Sequence, residues 1–163
     1  GDVPLGLPLF FIPLVLNSYF LINLFDVENV FKRFFYTLTT VLLVDLVLDP
    51  AAVSLGIWSY SSQFIYGVPL SNFFGWIISG TIAVVILELF LDRLKISARL
   101  SEKDYMLDDM VSFIFLWGFI NLYYLNLIPV LVTLLFCVFL YRTDRFSLAF
   151  EEKSGSFSIK SRF

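Results

Sequence analysis

The chain has 163 residues, of which 59% are hydrophobic and 19% aromatic, with 15% charged and a formal net charge of −3; its mean hydropathy is +0.86. Soluble domains carry about one quarter charged residues, so this composition excludes an ordinary soluble fold and points to an integral membrane protein. Eleven basic residues against fourteen acids exclude a nucleic-acid binder, the lone Cys137 can form no internal disulfide, and the absence of histidine removes the usual general base and the commonest transition-metal ligand.

In chain order, the first apolar run covers about Pro4–Phe25. It follows Gly1 with neither a methionine nor a basic n-region, so it does not read as a secretory signal. We expect the chain to be the C-terminal part of a longer protein. The second span, about Phe34–Leu48, ends in Asp45, Asp49 and Pro50 and leads into an aromatic loop, 49–72. The third span is about Phe73–Leu91. A loop, 92–109, carries Glu102, Asp104, Asp108 and Asp109, acids placed to suit the start of a helix. The stretch 110–141 would be roughly 48 Å long as one helix, too long for a hydrocarbon core of about 30 Å. Asn126 and Pro129 supply a break near Ile128, so it divides into spans at about Met110–Tyr124 and Leu127–Tyr141. The tail 143–163, ending EEKSGSFSIKSRF, is polar and expected to be mobile. The expected fold is all-α: a polytopic transmembrane helix bundle over residues 1–142, with about five spans.

The basic residues test this layout. Lys32 and Arg33 follow the first span, and Arg93, Lys95, Arg99 and Lys103 follow the third. Arg142, Arg145, Lys153, Lys160 and Arg162 follow the fifth. All eleven fall on one side, as the positive-inside rule requires of a cytoplasmic face. The N-terminus is then outside and the C-terminus cytoplasmic.

Asp45 and Asp49 stand out against this background. At a spacing of four they share one helical face, with Pro50 positioned to end or redirect the helix. Asp49 would lie near the boundary and Asp45 about one turn deeper. An aspartate within the bilayer costs about 2.5 to 3.5 kcal/mol on insertion scales, which is why such groups usually face a protein interior. The plainer reading makes both interfacial residues, with Asp49 capping the next element. The loop that follows holds Trp58, Tyr60, Tyr66 and Trp76 among Gly56, Gly67, Pro69 and Gly75. An interfacial aromatic belt accounts for some of these rings, but not for glycine, proline, Asn72 and two acids in the same short region.

DLVLDPAAVSLGIWSY followed by YGVPLSNFFGW resembles the signature of the membrane carotenoid hydratases, the carotenoid biosynthesis family that includes bisanhydrobacterioruberin and γ-carotene hydratases. The matching positions are Asp45, Leu48, Asp49, Pro50, Gly56, Trp58, Tyr66, Gly67, Val68, Pro69, Asn72, Gly75 and Trp76, with looser likeness over about 4–140. The resemblance implies addition of water across a terminal isoprenoid C=C bond of a C40 or C50 carotenoid, giving a tertiary alcohol. Such chemistry needs a carboxylic acid to protonate the less substituted carbon and a group to take the proton lost by water. Aromatic faces stabilise the intervening cation by roughly 0.5 to 2 kcal/mol each. We expect Asp45 and Asp49 to be catalytic, as acid and as base or water-holder, though the two roles can be exchanged. Trp58, Tyr60, Tyr66, Asn72 and Trp76 are expected to line the substrate. No cofactor and no metal are expected. The partners would be the polyene in the bilayer, membrane lipids and other carotenoid biosynthesis enzymes.

Two other readings compete. Asp45–Asp49 and Asp104–Asp108 both read DxxxD, a pattern resembling Mg-dependent membrane prenyltransferases, but the charge map puts these pairs on opposite faces. A pigment carrier or scaffold would leave both aspartates without a task. Glu88 is expected to snorkel toward Arg93 or Lys95. Asn17, Asn23 and Asn121 are expected to join helices by hydrogen bonds.

Overall fold

Why the second apolar run folds as it does explains most of the architecture. The computed structural model describes residues 7–23, 25, 27–94 and 107–142. Asn29 caps this helix, its side chain accepting from the Lys32 N–H at 3.0 Å, so one of the free N–H groups at the helix start is satisfied. The helix then runs through Pro50, which removes a single backbone donor, and ends at Ser54. Beyond the proline the chain keeps its carbonyls occupied: Ser54 Oγ donates to Pro50 O at 2.7 Å, Leu55 N to Ala51 O at 2.9 Å and Ile57 N to Ala52 O at 2.9 Å. The expected end at Leu48 is therefore passed, and both aspartates sit inside the helix.

Five helices are found among the described residues: α1 Leu7–Asn23, α2 Val30–Ser54, α3 Leu70–Leu94, α4 Leu107–Tyr123 and α5 Leu127–Arg142. α2 is the central element and packs against all four others. Its buried face includes Val41, Val44, Asp45, Val47, Leu48 and Asp49. The turn between α4 and α5 comprises Tyr124, Leu125 and Asn126, with Leu125 at φ 59°. Pro129 falls in the first turn of α5, where its missing N–H costs nothing. Glu102 and Asp104 lie outside the described residues, as does the tail from residue 143.

α2 and the segment Leu70–Leu91 are long and apolar enough to cross a membrane. α3 carries exposed Phe74, Ile78, Ile82, Ile86 and Phe90 at four-residue intervals, an outward apolar stripe suited to lipid rather than water. Several hydroxyls on the helices bond to their own backbone, as Ser18 does to Leu14 O at 2.8 Å and Thr133 to Pro129 O at 2.9 Å, which satisfies them without water. Asn121 joins helices, its Nδ2 donating to Val47 O on α2 at 2.7 Å. Asn23 instead donates within its own helix, to Tyr19 O at 2.8 Å.

Glu88 differs from expectation. It accepts a buried, two-pronged pair from Arg33, with Nε to Oε1 at 2.6 Å and Nη2 to Oε2; the side chains of Arg93 and Lys95 lie outside the described residues. The α2–α3 packing brings the start of one helix beside the end of the other, so an acid and a base 55 residues apart meet.

Candidate active site

The segment after α2 turns back on itself. Tyr66 (φ 49°) and Gly67 (φ 82°) form a tight turn between Ile65 and Val68, with Val68 N donating to Ile65 O at 2.9 Å and Ile65 N to Val68 O at 3.1 Å. Two consecutive positive φ values are the signature of a type I′ turn. Gly67 is required twice over: by its φ, and because a Cβ there would lie 2.7 Å from Val53 Cγ1. The turn therefore presses on the end of α2 and folds Trp58 and Tyr60 over it.

Asp49 gathers the polar groups of this region. Its Oδ2 accepts from Asn72 Nδ2, in the first turn of α3, and lies 3.2 Å from the Tyr60 hydroxyl. That hydroxyl is also 3.3 Å from Asn72 Oδ1, and its single proton can serve only one of the two acceptors at a time. Burial, then the neighbouring Asp49 carboxylate, hold the Tyr60 phenol above its ordinary range, so it stays a neutral donor.

Asp45 is different. It is 0% exposed, and neither carboxyl oxygen has a hydrogen-bond partner among the described residues. It lies one turn below Asp49 on the same side of α2, which puts the two Cβ atoms about 6 Å apart. One carboxyl thus takes two donors while its neighbour takes none.

An open cavity of about 530 Å³ lies against Tyr60 and Asn72, the two partners of Asp49. Tyr60, Asn72 and Trp76 line it, together with Phe11, Pro69, Ser71, Gly75 and Ser79. Trp76 tilts against Phe11, with ring centroids 5.1 Å apart, giving the cavity an aromatic wall opposite its amide and hydroxyl groups. Asn72 and Tyr60 stand between this space and Asp49. Of the seven residues expected at the site, the structure joins Asp49, Tyr60 and Asn72 directly and adds Trp76 through the cavity. Trp58 is buried in the apolar core. Tyr66 is drawn elsewhere: its hydroxyl accepts from Ile128 N at 3.1 Å, at the start of α5. Phe11, Ser71 and Ser79 were not foreseen. Phe11 is one aromatic in a continuous apolar run, and no local signal separates it from its neighbours.

Residues 1–140 match the model of the carotenoid biosynthesis protein family. The chain belongs to that family. It is also 47% identical, over 155 residues, to bisanhydrobacterioruberin hydratase of Haloarcula japonica, an alignment that covers 93% of this chain and 53% of the relative. The chain therefore spans about half the length of that relative. No solved structure matches it. In this family member the stretch quoted above, from Asp45 to Trp76, lies wholly within the matched residues.

Proposed function

We propose that the protein hydrates a carotenoid, adding water across a terminal isoprenoid C=C bond to give a tertiary alcohol. The observation that carries this reading is the unequal surroundings of two buried carboxyls one turn apart. Burying an ionised carboxylate without donors costs far more than burying the neutral acid; Asp45 is therefore suited to carry a proton. Asp49, with Asn72 and Tyr60 donating to it, is suited to act as a carboxylate.

With Tyr60 and Asn72 moved aside to admit the end group, since neither aspartate lines the cavity as it stands, Asp45 gives its proton to the less substituted alkene carbon, which forms a C–H bond as the π bond breaks and leaves a tertiary cation. Water held at Asp49 attacks the cation through oxygen and loses one proton to that carboxylate. Return of a proton from Asp49 to Asp45 restores the starting state, so substrate and water balance with no other reactant. Trp76 and Phe11 supply ring faces to the cation, and Asn72 and Tyr60 orient Asp49. Trp58 supports the aspartates from the core, and Tyr66 serves substrate binding indirectly, by anchoring the aromatic loop to α5. A polyene lying in the bilayer reaches the cavity from the membrane side.

The protein in this reading is an integral, multi-pass bundle over residues 1–142 with a polar tail, its N-terminus outside and its C-terminus cytoplasmic. The one-sided placement of all eleven basic residues supports that orientation. The name of the Haloarcula relative supports the substrate class. The test is pigment analysis of a host that accumulates acyclic or monocyclic carotenoids and expresses the full-length gene. A gain of one water per end group, by mass spectrometry, is the expected result. Unchanged pigments from well-expressed protein, across several precursors, would sink the assignment.

A further inference from the structure

The buried pair Arg33–Glu88 lies outside the chemistry above. It joins the same two helices as Asp49 and Asn72, at their opposite ends. Arg33 is also tied to its own chain, with Nη1 donating to Val27 O at 3.1 Å. From Arg33 to Asp49 along α2 is sixteen residues, and from Asn72 to Glu88 along α3 is sixteen as well, about 24 Å of helix in each case. Equal arms mean that both ties close together at a single sliding position of α3 on α2.

Close packing shares in fixing that position, with Val84 and Leu91 of α3 in the core. Lipid gives helices no hydrophobic reason to pair, so polar ties and close packing decide their register. α3 turns most of its bulky side chains outward, and between the two ties Gly80 faces Leu38 and Val41, smooth apolar side chains of α2. A slip of one helical turn moves α3 by about 5.4 Å, far beyond hydrogen-bond reach, and would take Asn72 off Asp49. Setting register is the best-attested role of a buried ion pair.

We propose that Arg33 and Glu88 are positioning residues for the Asp49 site. Their pair fixes the register of α3 on α2 and so holds Asn72, and Tyr60 with it, against Asp49. The activity part of the test rests on the hydratase reading; the spectroscopic part does not.

The experiment compares full-length wild type, Arg33→Gln, Glu88→Gln and the exchanged pair Arg33→Glu with Glu88→Arg. Each is normalised to the fraction recovered folded and monodisperse. Two quantities are read: hydration kinetics, and the infrared C–O stretch of Tyr60, isolated by subtracting the spectrum of Tyr60→Phe. The single variants are expected to lose about a hundredfold in kcat with little change in KM, as misplacement by an ångström does, and to shift the Tyr60 band. The exchanged pair is expected to restore both. A purely structural pair would change the folded yield and leave the Tyr60 band of the folded fraction in place, which overturns the proposal. So does an exchanged pair that folds but leaves the band shifted. If the single variants do not fold, the exchanged pair decides: a wild-type band supports the proposal and a shifted one overturns it. If wild type shows no hydration while the band shifts and returns as described, the hydratase reading fails and the positioning role stands.

Discussion

Asp45 and Asp49 differ by what donates to them, and the proposal that these two identical side chains do separate work rests on that difference. Replacing Asp45 by asparagine keeps the shape and removes the proton; general acid catalysis is worth about 10² to 10⁴ in rate, so turnover should fall by that order while the protein still folds. Tyr60→Phe removes one neutral donor from Asp49, worth about 1 kcal/mol, and should slow hydration roughly fivefold, measured as kcat in the same assay. Tyr60 also makes a pH prediction. Its phenol is held above its ordinary range by burial and by Asp49, so the folded state binds this proton more tightly than the unfolded chain. The contribution to stability is therefore present below the ordinary phenol pKa of about 10 and is lost only as pH rises through the higher folded value. A difference absorbance titration of wild type against Tyr60→Phe should show no Tyr60 phenolate at pH about 10. A normal phenolate signal there would contradict the buried contact. At this scale the sequence exposed the aspartates, because charge in an apolar run is conspicuous. It did not expose that Tyr60 and Asn72, which line the cavity, also reach Asp49 from 11 and 23 residues away.

The elements place those residues, and glycine marks where they come closest. Gly67→Ala would put a Cβ 2.7 Å from Val53 Cγ1 at a φ of 82°, and overpacking of this kind costs about 1 to 3 kcal/mol. A lower thermal midpoint is expected, together with reduced hydration, since this turn belongs to the same loop between α2 and α3 as Tyr60. Gly118→Ala would press a Cβ onto Thr133, whose Oγ1 would be 2.8 Å away; it should destabilise the α4–α5 hairpin with a smaller effect on kcat per folded molecule. Thermal unfolding in detergent checks both. Five helices were legible from hydropathy, but the extent of α2 was not. Pro50 read as a stop because a proline inside a helix forfeits a bond; Ser54 Oγ and the N–H groups of Leu55 and Ile57 keep the following turn closed. The pairing of Arg33 with Glu88 was hidden for another reason. Each looked complete alone, as a charge near a helix end, and only the packing of α3 on α2 brings them together.

On the scale of the whole molecule, a central helix carries the acids and four others wrap it, so the carboxyls are shielded from water at one end and an ion pair is shielded at the other. The outward stripe of α3 is apolar and suited to lipid, and Ser71, Gly75 and Ser79 of the same helix line the cavity. If the basic residues set orientation, a cysteine placed in the tail after Arg145 should react with an impermeant thiol reagent only once the cytoplasmic side is exposed; labelling of intact cells would reverse the topology. The central proposal is that the Asp45–Asp49 pair hydrates a carotenoid end group, and membership of the carotenoid biosynthesis family supports its substrate class. The most direct measurement is the pigment mass spectrum from a precursor-accumulating host expressing the full-length gene as wild type, Asp45→Asn or Asp49→Asn at equal membrane levels. The account predicts one added water per end group with wild type and loss of that product with either substitution. Undiminished hydrated product from both variants would contradict it.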